Sequence, residues 1–100
     1  MKVLLTKKAQ KDYLEIQRHP SLKDKVNNLI DLLAKNPYQN PPPYEKLQGF
    51  APAKIYSRRI NQEHRLVYEV REEKDEVIVY RMWTHYQELH PIFGADIPSR

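Results

Sequence analysis

Apolar residues follow two rhythms along this chain, and the change falls near its middle. In the first third they recur every three or four positions. Ala9, Tyr13 and Ile16 mark a short helix, and Leu22, Val26, Leu29, Ile30 and Leu33 mark a longer one. Lys23, Asp24, Asn27, Asn28 and Asp31 fall between the second set, as expected of a helix with one apolar face. Met1 to Leu5 reads as a short strand, and Thr6 is placed to cap a first helix running to about Arg18. Pro20 suits the first turn of the second helix, where a missing N–H costs nothing. Asn36-Pro37 ends that helix, because the residue before a proline is pushed out of helical geometry.

Beyond residue 54 the pattern becomes β-like. Val67, Tyr68, Val70, Val77, Ile78, Val79 and Tyr80 are β-branched or aromatic, and strands are expected over Lys54–Asn61, Arg65–Arg71 and Glu76–Tyr86. Asn61-Gln62-Glu63-His64 and Glu72-Glu73-Lys74-Asp75 are the turns between them. Between the two halves, Asn36 to Pro43 holds four prolines, a stiff connector suited to delivering Glu45 at a defined place. The order predicts an α+β fold: two N-terminal helices on one face of a small, antiparallel-rich twisted sheet, β-α-α-β-β-β with room for one further short strand. The other sheet face is expected to be partly open. Alternation then sets Leu66, Tyr68 and Val70 against Arg65, Val67 and Glu69, and Ile78, Tyr80 and Met82 against Arg81, Trp83 and His85. If the first group of each strand meets the helices, Arg65 and His85 share the open face.

Length and composition narrow the class. One hundred residues make a single domain, with residues 1–86 as its body and 87–100 as a C-terminal extension. No apolar run approaches the roughly 20 residues needed to cross a bilayer, and the first residues are too short for a signal peptide. With no cysteine, thiolate chemistry is excluded and a cytoplasmic setting is expected. The net charge is +4, and Lys54, Arg58, Arg59 and Arg65 face only Glu63 within residues 54–65. Such a patch attracts phosphate, although a solvated basic face is its bland counterpart.

The chemistry emerges when these residues are taken together. Cutting an RNA phosphodiester without metal requires a base for the 2′-hydroxyl, a cation for the crowded phosphorane and an acid for the leaving 5′-oxygen. A glutamate such as Glu45 is suited to the first task and an arginine such as Arg65 to the second. A histidine such as His85, whose side chain changes charge near neutral pH, is suited to the third. His19, His64, His85 and His90 are scattered, so no metal site and no cofactor are expected. Taken singly, each residue has a plainer reading: Glu45 as a loop charge, Arg58 and Arg59 as surface ion-pair partners, His85 as a strand-end hydrogen bonder. Their joint order is more specific.

Tyr56-Ser57-Arg58-Arg59-Ile60, then Glu63-His64-Arg65-Leu66-Val67-Tyr68, flanked by Glu45-Lys46-Leu47 and His85-Tyr86, resembles the YoeB/Txe branch of the RelE/ParE superfamily. These are toxins of bacterial type II toxin–antitoxin modules, and the likeness covers nearly all of residues 1–86. It implies a RelE-like domain that enters the ribosomal A site and cuts messenger RNA during translation. It implies Glu45 as general base, Arg65 as transition-state stabiliser and His85 as general acid. Arg59 would contact phosphate, Tyr86 would orient or stack at the scissile nucleotide, and Lys46 and Arg58 would add substrate contacts. The partners implied are a cognate antitoxin, the ribosome and mRNA, with operator DNA reached only through the antitoxin complex. A homodimer is allowed for, and no membrane is involved.

The chain departs from that pattern at Gln48, where relatives commonly place lysine, and in continuing past Tyr86 with a partly apolar tail, Gln87 to Arg100. The competing reading is a non-catalytic binding module, either a ParE-like gyrase inhibitor or a corepressor that binds antitoxin and operator.

Overall fold

The computed structural model describes residues 1–83. Strand β1 (Lys2–Leu5) leads through Thr6 into helix α1 (Lys7–Ile16), and α2 (Pro20–Lys35) follows. Then come β2 (Glu45–Lys46), β3 (Ile55–Arg59), β4 (Arg65–Arg71), a short 3-10 turn (Glu72–Lys74) and β5 (Glu76–Arg81). The sheet order is β1-β5-β4-β3-β2, with β1 parallel to β5 and every other pair antiparallel. The predicted α+β class and element order therefore stand, with β2 as the further short strand.

Local chemistry explains the helix ends. Thr6 Oγ1 accepts from the Ala9 amide at 3.1 Å, as an N-cap should, and donates to the Tyr80 carbonyl at 3.1 Å. One side chain thus starts α1 and ties it to β5. Pro20 opens α2, and Val26, Leu29 and Leu33 bury its apolar stripe. That stripe meets Tyr56, Ile60, Leu66, Tyr68, Val70, Val77, Val79 and Met82 in the main core. Burial of each such aliphatic side chain contributes about 1.5–3 kcal/mol.

The second sheet face is covered over only part of its extent. Ile55, Val67, Ile78 and Tyr80 pack there with Leu47, Ala53 and Phe50 from the segment between β2 and β3, while Arg59 at the end of β3 stays exposed. Alternation in β4 is as expected, with Leu66, Tyr68 and Val70 toward the helices. In β5 it is reversed for Ile78 and Tyr80: Val77 and Val79 face the helices instead. Val67 opposes Arg81 while Tyr68 opposes Val79, so Tyr80 is an inserted residue in the ladder. Met82 returns to the helix side beyond that bulge. Among the described residues the strand ends at Arg81, where Asp12 of α1 holds its exit; positions 84–86 of the expected run lie outside them. The Asp12 carboxylate accepts from Arg81 Nε at 2.8 Å and from the Met82 amide at 2.9 Å.

Candidate active site

A buried arginine places the strand that carries Glu45. Arg58 of β3 points toward the helices and is only 1% exposed. It donates from Nη1 to the Pro42 carbonyl at 2.7 Å, and from Nη2 to the carbonyls of Pro37 at 2.8 Å and Gln39 at 2.9 Å. Nε donates to the Tyr68 hydroxyl at 3.1 Å, and that hydroxyl donates onward to the Pro37 carbonyl at 3.0 Å. A proline-rich segment has carbonyls but few amides, so it cannot satisfy itself. Arginine, with five donors and no acceptor, is suited to collecting them. The guanidinium also lies 4.8 Å from the centre of the Tyr44 ring, one residue before Glu45.

Arg58 was expected to contact substrate. Its burial and its four bonds place it inside the fold instead, and this corrects that expectation. Nearby, burial pushes the Tyr68 phenol up to about 12, while the Arg58 charge pulls it the other way. Tyr38 donates to Glu72 at 2.6 Å. Burial first, then this bond, raises the Tyr38 pKa. The same bond, with Lys54 at 3.3 Å, lowers that of Glu72. Lys54 is therefore held at the far end of β3, and the basic patch read from residues 54–65 divides into separate places.

Strand alternation sends the neighbours of Arg58 the other way. Ser57 and Arg59 face the side opposite the helices, and the β3–β4 register sets Arg59 directly across from Arg65. The β2–β3 register sets Glu45 directly across from Ser57. These four residues, with Pro43 and Tyr44, line a cleft of about 320 Å³. Glu45 and Arg59 are exposed, Arg65 is half-buried, and Ser57 forms a fully buried floor. Arg65 Nη1 donates to Ser57 Oγ at 3.1 Å. Lys46 is paired with Tyr56, which faces the helices, so alternation turns it away from the cleft that Glu45 lines.

Two arginines directly opposite on one sheet face repel each other. That arrangement is suited to an anion carrying more than one charge, which both can contact, with a carboxylate at the rim. Ser57 stands in the motif that carries the resemblance but is given no role there. Its signal was available: it lies two residues before Arg59 on the same strand, and therefore on the same face.

At the start of β4, beside Arg65, Trp83 stacks on His64 with ring centres 3.9 Å apart and on His19 at 5.0 Å. His64 precedes Arg65 in a turn that Asn61 closes by accepting from the Glu63 and His64 amides. Trp83 thus pins the exit of β5 beside the start of β4 and the start of α2. The expected site residues His85 and Tyr86 lie outside the described residues. Among the described residues no group of three or more histidine or carboxylate side chains is placed to hold a metal, and no helix is long and apolar enough to cross a membrane.

Two helices on a five-stranded mixed sheet, ordered in this way, form the α+β fold of the RelE-like toxins. Residues 5–86 match the family described as YoeB-like toxin of bacterial type II toxin–antitoxin system, and the chain belongs to that family. Toxin YoeB of Synechocystis sp. is 36% identical over 92 residues, spanning 87% of this chain and 99% of that one. The YoeB/ParE toxin from Agrobacterium tumefaciens superposes with a TM-score of 0.75 at 33% identity, covering 86% of this chain and all of the other. The Staphylococcus aureus YoeB, solved in a YoeB–YefM complex, gives a TM-score of 0.70 at 30% identity over 86% of this chain and 98% of its own. A YoeB from S. aureus has also been solved as a dimer.

Proposed function

We propose that this toxin is a ribosome-dependent endoribonuclease that cuts messenger RNA in the A site, with a ribose 2′-hydroxyl as nucleophile and no resident metal or cofactor. The observation that carries the reading is the cleft in which Arg59 and Arg65 oppose each other across β3 and β4 with Glu45 on the neighbouring strand. Glu45 takes the proton of the 2′-hydroxyl as the ribose 2′-oxygen forms a bond to phosphorus. Arg65 and Arg59 balance the charge that gathers on the phosphorane oxygens, as electrostatic stabilisers do. The bond from phosphorus to the 5′-oxygen then breaks, and His85 supplies the proton that oxygen needs. The products are a 2′,3′-cyclic phosphate and a 5′-hydroxyl. Tyr86 orients or stacks on the scissile nucleotide. DNA lacks the nucleophile and is spared.

Lys7, Lys8 and Lys11 are exposed on α1, and they suit contact with ribosomal RNA phosphates away from the cleft. The partner in the resting cell is a cognate antitoxin, and operator DNA is reached only through that complex. A YoeB–YefM complex from S. aureus supports this partner, and a YoeB dimer from S. aureus supports self-association of the toxin. The setting is the cytoplasm.

The test is a cell-free translation reaction with mRNA 3′ ends mapped, and the same mRNA without ribosomes beside it. Cuts that require ribosomes and vanish in Glu45→Ala and His85→Ala are the expected result. Intact mRNA with the wild-type chain would move the protein to the binding-module class.

A further inference from the structure

Ser57 takes part in none of the chemical steps above, yet it lies at the centre of the cleft. Its side chain is wholly buried between two strands that each contribute a reacting group: Glu45 across the β2 pairing, and Arg65 two residues along β4 from its own partner Val67, on the same face. A buried hydroxyl needs partners, and Ser57 Oγ accepts from Arg65 Nη1 at 3.1 Å. An arginine side chain on a strand has several rotatable bonds, and one fixed N–H contact restricts the plane of its fork. That plane decides whether the remaining N–H groups meet two phosphate oxygens at once. The opposing Arg59 makes the constraint more important, because repulsion between the two charges favours fork orientations turned away from the cleft.

We propose that Ser57 is a positioning residue for the cleavage step: its hydroxyl fixes the Arg65 guanidinium in the orientation that receives the phosphorane. This rests on the nuclease reading for its catalytic half and on the Ser57–Arg65 contact for its structural half. A serine that only filled space would be replaceable by alanine with no change at Arg65. A serine that positions Arg65 is replaceable by threonine, which keeps the hydroxyl, but not by alanine.

The experiment compares wild type, Ser57→Ala and Ser57→Thr in two measurements. In the first, nitrogen-detected NMR of the arginine side chains follows rotation of the Arg65 guanidinium, with Arg65→Lys as the assignment control. Faster rotation in Ser57→Ala, and wild-type behaviour in Ser57→Thr, is expected. In the second, single-turnover cleavage is measured on mRNA-programmed ribosomes. Ser57→Ala should lower the maximal rate about tenfold, as suits a lost hydrogen bond to a charged group, with half-saturation little changed and Ser57→Thr near wild type. Unchanged Arg65 rotation in Ser57→Ala would overturn the proposal. So would a rate loss that Ser57→Thr shares, since that would mark a packing role. If the wild-type chain cuts no RNA, the nuclease reading and the catalytic half fall together. Arg65 rotation then still decides the structural half independently.

Discussion

Arg58 and Arg59 are adjacent in sequence and opposite in consequence. One points to the helix side, loses contact with water and binds three carbonyls and a tyrosine hydroxyl. The other points to the cleft, stays exposed and opposes Arg65. Both are the same side chain on the same strand, so composition and charge counting treat them alike. Strand alternation separates them. The helix side uses charge to hold backbone in place, and the cleft side leaves the Arg59 charge exposed to solvent. The two are linked, because what Arg58 holds is the segment that ends at Glu45.

That contrast can be broken at four places. The largest effect is expected at Glu45→Gln, which should lower cleavage by about 10²–10⁴. Its melting profile should stay within about 0.5 kcal/mol of wild type, because the side chain is exposed. Arg58→Ala should do the reverse, costing on the order of 3–5 kcal/mol in urea unfolding, because it strands buried acceptors. Arg58→Lys should recover only part of this, since an ammonium cannot reach the same set of carbonyls.

A third effect comes from pH. The Tyr68 phenol is pushed up to about 12 by burial, against an ordinary value of 10.0. The unfolded chain releases that proton first, so the stability it confers is complete below pH 10.0 and declines as pH rises toward 12. Urea midpoints measured across that interval should fall, and Tyr68→Phe should flatten the slope. The smallest effect is expected at Arg59→Ala. Ribosome binding should weaken a few-fold and its dependence on log salt should become shallower by about one, with the melting profile unchanged. A large stability loss at Arg59 would erase the distinction from Arg58.

Much of the fold was legible because the helices advertise themselves. Of the five residues that periodicity selects in α2, Val26, Leu29 and Leu33 are buried, and Leu22 and Ile30 are partly buried against the same core. Thr6 and Pro20 sit at the helix starts where their chemistry suggests. The sheet was legible in outline and not in parity. Glu76-Val77-Ile78-Val79-Tyr80-Arg81 is apolar on both faces because both faces are covered, so alternation carries no information there. The inserted Tyr80 then shifts the phase. Neither the bulge nor the cover from Leu47, Phe50 and Ala53 has a sequence marker.

The cleft divides in the same way. Glu45, Arg59 and Arg65 were identified by their order and are brought together by register. The resemblance adds Arg58 and Lys46 to them as substrate contacts, and alternation takes both away from the cleft. Ser57 carries no charge to mark it in the sequence, although its spacing from Arg59 places it on the cleft face.

The stack of Trp83 on His64 and His19 has a practical consequence. Trp83 is the chain's single tryptophan, so all indole emission comes from one ring. That ring touches the residue preceding Arg65 and stands two positions before His85. The protein therefore contains a native optical gauge beside its proposed working groups. Binding of RNA, antitoxin or ribosome near that end of the cleft can be followed by fluorescence with no label added and no side chain replaced.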